Sequence, residues 1–437
     1  MMVMRLGACV VLLSLCAAAP ASAQGATHWV TAWAASVQGP YPVGNATVQP
    51  VLKLVFPDPA VGARDQNFRL IVRPDVWGPQ ARLRFSNVLG TRPLALRSVF
   101  VGLQLSGSAV IAGTSTPVTF GGKGAVTVAP GTDVWSDPVT PAFASQGGPS
   151  LAGRKLAVSF RVAGESGPMT WHAKGLTTSY VSLPGATLDA GDEREQAAPA
   201  STTSWYFLDA VDMLMPQATS AVVAFGDSIT DGTGSTLNGD DRWPDVLSRR
   251  LHARAGDRWS VVNAGIGGNR VASPGEYSPA KPFAGGPSAG QRLERDVLAL
   301  SGVKAVIWLE GINDFSPAAG TSVAVVEQSM RDVVGRLRAR GIRVIGATLT
   351  SAVGNGTPAD AAAREAKRQA LNTFIRTAGV FDAVADFDRA TTDPATGALK
   401  EAFVPNSTDG GPGDYLHPNR LGYAAMGAAV DLEPLLR

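Results

Sequence analysis

The chain has 437 residues, of which 45% are hydrophobic and 17% charged, and its formal net charge is +2. That length accommodates two domains, and the composition is globular, not disordered. So small a net charge gives no global reason to expect nucleic acid or an anionic membrane as partner.

The first element is a targeting segment. Arg5 precedes the apolar run VVLLSLCAAA and then PASA, with small residues at Ala21 and Ala23. This is the pattern of a signal peptide (1–23) cleaved after Ala23, and the run is too short to span a bilayer. The expected product is secreted or periplasmic. Both cysteines, Cys9 and Cys16, fall in this segment. The mature chain then offers no disulfide, thiolate metal site or cysteine nucleophile.

From 24 to 205 the pattern is strand-like. Phe68, Leu70 and Val72 alternate in QNFRLIV, Leu83 and Phe85 in ARLRFSN, and Leu156, Val158, Phe160 and Val162 in KLAVSFRVAG. Period 2 places each set on one face of a half-buried sheet. Gly, Pro, Ser and Thr clusters separate the runs, which predicts an all-β sandwich or jelly-roll-like domain. Its tryptophans, at 29, 33, 77, 135, 171 and 205, read as core or interface residues, with stacking on sugars as the alternative. The segment AGDEREQAAPASTTS (190–204) reads as a linker or inter-domain loop.

From 206 to 437 short, nearly all-apolar runs alternate with helical periods. The runs are AVVAF (221–225), WSVVNA (259–264), VKAVIWL (303–309), IRVIGATL (342–349) and FDAVADF (381–387). Parallel strands covered on both faces read this way. Trp243, Val246, Leu247 and Leu251 form one helical stripe, and Val326, Met330, Val333 and Leu337 another. Gly341 stands where a helix C-terminus takes a left-handed residue, and RDVVGRLRARG (331–341) reads as a solvated helix face. The order predicts a doubly wound α/β domain.

Reactive groups of such a sheet gather at the carboxyl ends of its strands. Strand one ends in Gly226-Asp227-Ser228, strand two in NAGIGGNR and strand three in EGIND, and GDYLHP follows strand five. Alone, the serine reads as a cap or a turn. As a nucleophile it needs a base, usually histidine. Of the four histidines, His28 adjoins the processed terminus, His172 lies in the β-rich half and His252 sits on an Arg-rich helix, where it reads as solvated. His417 alone follows a strand end, and Asp414 three residues before it can orient its ring. Gly268 can offer a backbone N–H to an oxyanion, Asn313 its side-chain amide, and Ser228 its own N–H. The phosphate-loop and dinucleotide glycine patterns are absent after strand one, and GxSxG fails because Thr230 occupies its second glycine position. Scattered histidines and no mature cysteine support no metal site.

GDSIT (226–230), NAGIGG (263–268), GIND (311–314) and DYLHP (414–418) together resemble the marker blocks of the SGNH, or GDSL-like, hydrolases, in the same order. Ile229 stands where the founding signature has leucine. The resemblance implies a flavodoxin-like α/β/α three-layer sandwich and ester hydrolysis through an acyl-enzyme. It assigns Ser228 as nucleophile, His417 as base and Asp414 as orienter, with Ser228, Gly268 and Asn313 forming the oxyanion hole and no metal or organic cofactor. HWVTAWAAS (28–36), RLRFSNVLGTRPL (82–94), the RLERDVL…EGIND run (292–314) and VADFDRA (384–390) are more loosely similar to an arylesterase or acylhydrolase group related to a rumen bacterial xylanase-linked esterase. That implies acetyl or short acyl esters of carbohydrate or aryl alcohols as substrates. The alternatives are a polysaccharide-binding protein with a vestigial hydrolase half, and a lipid or thioester acylhydrolase. The loop 270–292, directly after the glycines, is the expected pocket wall.

Overall fold

The computed structural model describes residues 25–437. The expected signal peptide, with Cys9 and Cys16, lies outside the described residues.

The amino-terminal part is built from two larger antiparallel sheets. One has the strand order Thr27–Ala34, Leu208–Pro216, Ala81–Ser86, Asp133–Trp135. The other is eight-stranded and centres on Arg64–Val72, Leu156–Glu165 and Leu94–Ser106. The alternating residues Phe68, Leu70, Leu83, Phe85, Val158 and Phe160 meet in one buried cluster, with Phe68 and Phe160 stacked at 5.2 Å.

Two sequence expectations are corrected here. The β-rich part does not end at 205, because Leu208–Pro216 pairs antiparallel with both Thr27–Ala34 and Ala81–Ser86. Its Asp209 and Asp212 neutralise Arg84 and Arg82 of the neighbouring strand. Nor is 190–204 a linker. It lies over the outer face of the larger sheet, and Ala200–Thr202 forms an edge strand beside Ser179–Val181. The cause is Arg69, which is 1% exposed on that face. Its guanidinium donates to the carbonyl oxygens of Ser108, Ala190, Asp192 and Arg194. A buried guanidinium needs acceptors for its donors, and the folded-over segment supplies them as peptide carbonyls. The sheet expected to be half-buried is therefore covered on both faces along 66–72.

The carboxyl-terminal part holds five parallel strands in the order Trp259–Gly265, Ser220–Gly226, Val303–Leu309, Arg343–Ala347, Ala383–Ala385. In chain order this is 2-1-3-4-5, which brings the loops after the first and third strands together at the carboxyl edge. Alternation divides its side chains between two layers. Val223 and Phe225 pack with Val326, Met330 and Val333 of the helix Val323–Ala339. Val222 and Ala224 pack with Leu247 and Leu251 of the helix Trp243–Ala255 and with Met426 of the helix Arg420–Ala429.

The smaller antiparallel sheet lies against this α/β unit. Thr31 N–H donates to Ser301 O at 3.0 Å, Ser260 Oγ to Thr31 O at 2.8 Å, and Val261 N–H to Asp75 Oδ2 at 2.6 Å. One apolar cluster runs through both parts, containing Val30 and Ala32 together with Val262 and Ala264. Trp33, Trp77, Trp171 and Trp205 are buried. The half-buried Trp29 and Trp135 face the Arg82 guanidinium at 4.8 and 4.4 Å. These side chains pack the core and the interface. Among the described residues no helix is long and apolar enough to cross a membrane.

Candidate active site

Strand Ser220–Gly226 runs into a single helical turn, Ser228–Asp231. Gly226 is required at the junction, since a Cβ there would meet Leu309 O at 2.2 Å. Asp227 caps the turn, its Oδ1 accepting the Ile229 N–H at 3.0 Å. It is fully buried, and among the described residues it makes no hydrogen bond to His417. Burial, reinforced by the nearby Glu310 and Asp314 charges, pushes its carboxyl up to about 8 despite the Ile229 N–H. Asp227 therefore holds the turn.

Ser228 Oγ lies 2.8 Å from His417 Nε2. His417 Nδ1 lies 2.6 Å from Asp414 Oδ2. The other carboxylate oxygen, Oδ1, accepts the N–H groups of Leu416 and His417 at 3.0 and 2.9 Å. Partial burial alone would raise the Asp414 carboxyl, but the hydrogen bonds and charge of His417 outweigh it and hold the group well below the usual carboxylate range. An ionised Asp414 accepts the Nδ1 proton, so the Nε2 lone pair faces the serine hydroxyl. Asn355 Nδ2 steadies the segment by donating to Asp414 O at 2.8 Å.

The loops after the second and third strands meet beside Ser228. Gly268 has φ +82°, in the left-handed region. Asn313 Nδ2 donates one hydrogen to Asn269 O at 3.0 Å, which leaves the second free. Asp314 Oδ2 and Oδ1 accept the N–H groups of Val271 and Ala272 at 2.8 and 3.0 Å. Gly268 and Asn313 both remain half-exposed. All five residues singled out from the sequence thus lie on loops at the carboxyl edge of one sheet.

Arg292, 1% exposed, supports these loops from below. It donates to Gly226 O, Ala264 O and Asn269 Oδ1 at 2.8, 2.8 and 2.7 Å and pairs with Asp296 at 3.1 Å. Its guanidinium lies 3.9 Å from the Phe225 ring centre.

The other histidines do not approach Ser228. His28 Nε2 is 2.8 Å from Thr219 O. His252 is not solvated as expected, because Asp75 and Asp257 flank it at 3.2 and 3.1 Å. His172 is buried and pairs with Asp231 at 3.1 Å.

A cleft of about 230 Å³ opens beside His417, lined by Thr233, Gly234, Asn406, Asp409 and Asp414 among others. The loop 270–292, expected as its wall, contributes nothing to that lining. It is bound to the amino-terminal part instead, through Gln38 Nε2 to Ala284 O at 2.7 Å and Tyr277 Oη to Gly39 O at 2.9 Å. Sequence reasoning passed over Asn45, Lys174, Asp231 and Arg292. Only Asp231, three residues after Ser228, carried a local signal. Among the described residues no group of three or more His, Cys, Asp or Glu is arranged to hold a metal ion.

Residues 224–425 match the model of the GDSL-like Lipase/Acylhydrolase family, an interval that contains Ser228, Gly268, Asn313, Asp414 and His417. Solved structures similar to this chain include a carbohydrate acetylesterase family member from Sinorhizobium meliloti, at 18% identity and TM-score 0.38, covering 50% of this chain and 98% of that one. Another is the lipase/acylhydrolase from Enterococcus faecalis, at 23% identity and TM-score 0.37, covering 48% of this chain and 93% of that one. No curated protein matches the chain.

Proposed function

We propose, from the match of residues 224–425 to the GDSL-like lipase/acylhydrolase family model, that the protein is a serine esterase acting on carboxylic esters. The observation that carries this reading is the chain of hydrogen bonds from Ser228 Oγ to His417 Nε2 at 2.8 Å and from His417 Nδ1 to Asp414 Oδ2 at 2.6 Å.

In this reading His417 takes the Ser228 proton as Oγ attacks the ester carbonyl. The carbonyl π electrons move to its oxygen, where the N–H groups of Ser228 and Gly268 and the Asn313 amide stabilise the charge. Collapse breaks the bond to the alcohol, which leaves with the proton from His417. Water, deprotonated by His417, then attacks the acyl-enzyme and releases the acid and Ser228. Asp414 stays ionised throughout and stabilises the imidazolium.

The proposed substrates are acetyl or short acyl esters of carbohydrates or aryl alcohols, following the looser subgroup resemblance. Export follows from the targeting pattern at 1–23. Ser228→Ala and His417→Ala should each lower kcat for a short-chain nitrophenyl ester by about 10⁴-fold or more while remaining folded. Undiminished hydrolysis in either would overturn the mechanism. A panel of acetylated xylan, aryl acetates and longer-chain esters would fix the substrate class.

A further inference from the structure

Gly267 and Gly268 share one peptide unit, which contributes the Gly267 carbonyl and the Gly268 N–H. In a trans peptide these two groups point in opposite directions. The amino-terminal part grips the carbonyl side: Asn45 Nδ2 lies 2.6 Å from Gly267 O. A carbonyl oxygen only accepts, so the amide nitrogen of Asn45 is the group that must face it. Holding the carbonyl toward Asn45 aims the Gly268 N–H the other way and polarises it.

The preceding peptide is held as well. Gly267 N–H donates to Asp231 Oδ2 at 2.9 Å, and Asp231 Oδ1 pairs with His172 Nε2 at 3.1 Å. The glycines record this proximity. A Cβ on Gly268 would come within 2.6 Å of Asn45 Nδ2, and one on Gly267 within 3.2 Å of Asn45 Cβ and 3.1 Å of Lys174 Nζ. Side chains of the other domain rest directly on both glycines, and the left-handed φ of Gly268 independently favours glycine there.

We propose that Asn45 is a positioning residue for the oxyanion hole, supplied across the domain boundary. By holding the carbonyl of the Gly267–Gly268 peptide, it aims the Gly268 N–H at the developing negative charge and keeps the peptide from turning over. This assignment rests on the esterase reading of the same site. It also gives the amino-terminal domain a part in the reaction that does not involve binding sugar.

Asn45 is exposed, so its replacement leaves the core untouched. The test compares wild type, Asn45→Ala and Asn45→Asp in three measurements: kcat and KM on nitrophenyl acetate, thermal midpoint, and amide hydrogen exchange of residues 263–270. Asn45→Ala should lower kcat about tenfold or more with KM within about twofold, because a mis-aimed donor costs only the transition state. Asn45→Asp, which sets an acceptor against a carbonyl, should fall further. The midpoint should hold, and exchange at Gly267 and Gly268 should accelerate. Wild-type kcat in both variants, or a rise in KM alone, would overturn the proposal. If the wild type hydrolyses no ester, the functional reading fails on its own. Exchange then decides the grip: acceleration in Asn45→Ala supports it, and unchanged exchange overturns it.

Discussion

His172 shows how much a single buried ring can bind together. Its Nδ1 faces Ser36 O at 2.7 Å, and its Nε2 faces Lys174 O at 3.0 Å and Asp231 Oδ1 at 3.1 Å. Every partner accepts, so the doubly protonated imidazolium satisfies the site. Burial alone would lower its pKa, but the Asp231 charge and hydrogen bond, with the two carbonyls, outweigh it and raise the pKa above 6.5. The charged neighbours are Asp231 and the buried Lys174 ammonium, which donates to Thr233 Oγ1. A raised histidine stabilises the fold fully below its unfolded pKa, and that stabilisation is lost as pH rises through the folded one. His172→Gln should therefore destabilise by about 1–3 kcal/mol near pH 6, and the deficit should narrow from there upward as pH rises through the raised folded pKa. Thermal melts of both proteins across that range check this. A deficit independent of pH would mean that the ring is neutral.

Among the elements, all five parallel strands were readable from their apolar runs, with the first three keeping nearly their full length. VKAVIWL is the observed strand Val303–Leu309. FDAVADF shrinks to Ala383–Ala385 because Asp386 already caps the next helix, accepting the Arg389 N–H. Gly341 closes its helix at φ +68°, as its position implied. The short helix Ala289–Leu293 was read only as loop, and it carries Arg292. Arg292→Met should destabilise the protein by about 3–5 kcal/mol, since it strips a buried counter-charge from Asp296 and removes donors from three acceptors under the Ser228 turn. Urea denaturation measures this. A loss below about 1 kcal/mol would show that the buried network repacks without it.

For the whole molecule, the decisive feature is that the two parts share one apolar cluster. A fragment covering 218–437 would expose Val262, Ala264 and their neighbours to water, and it would lose the contact of Asn45 with Gly267 O and of His172 with Asp231. Expressed alone, it should aggregate or lack fixed tertiary structure, as read by near-ultraviolet circular dichroism and gel filtration, and it should not hydrolyse nitrophenyl esters. A monomeric, fully active fragment would show that the amino-terminal domain is dispensable.

The sequence by itself determined the two textures of the chain, because a period-2 pattern and an unbroken apolar run describe how a strand is buried whatever its neighbours are. It also determined the motif loops carrying Ser228, Gly268, Asn313, Asp414 and His417, because each follows a recognisable strand or turn. Only the tertiary structure decided that 190–204 covers a buried arginine, that the β-rich part continues to Pro216, and that Asn45 lies on the Gly267 carbonyl. Asn45 and Gly267 are 222 positions apart. The acceptors of Arg69 and Asn45 are peptide oxygens, which every residue carries, so no local pattern of side chains marks them.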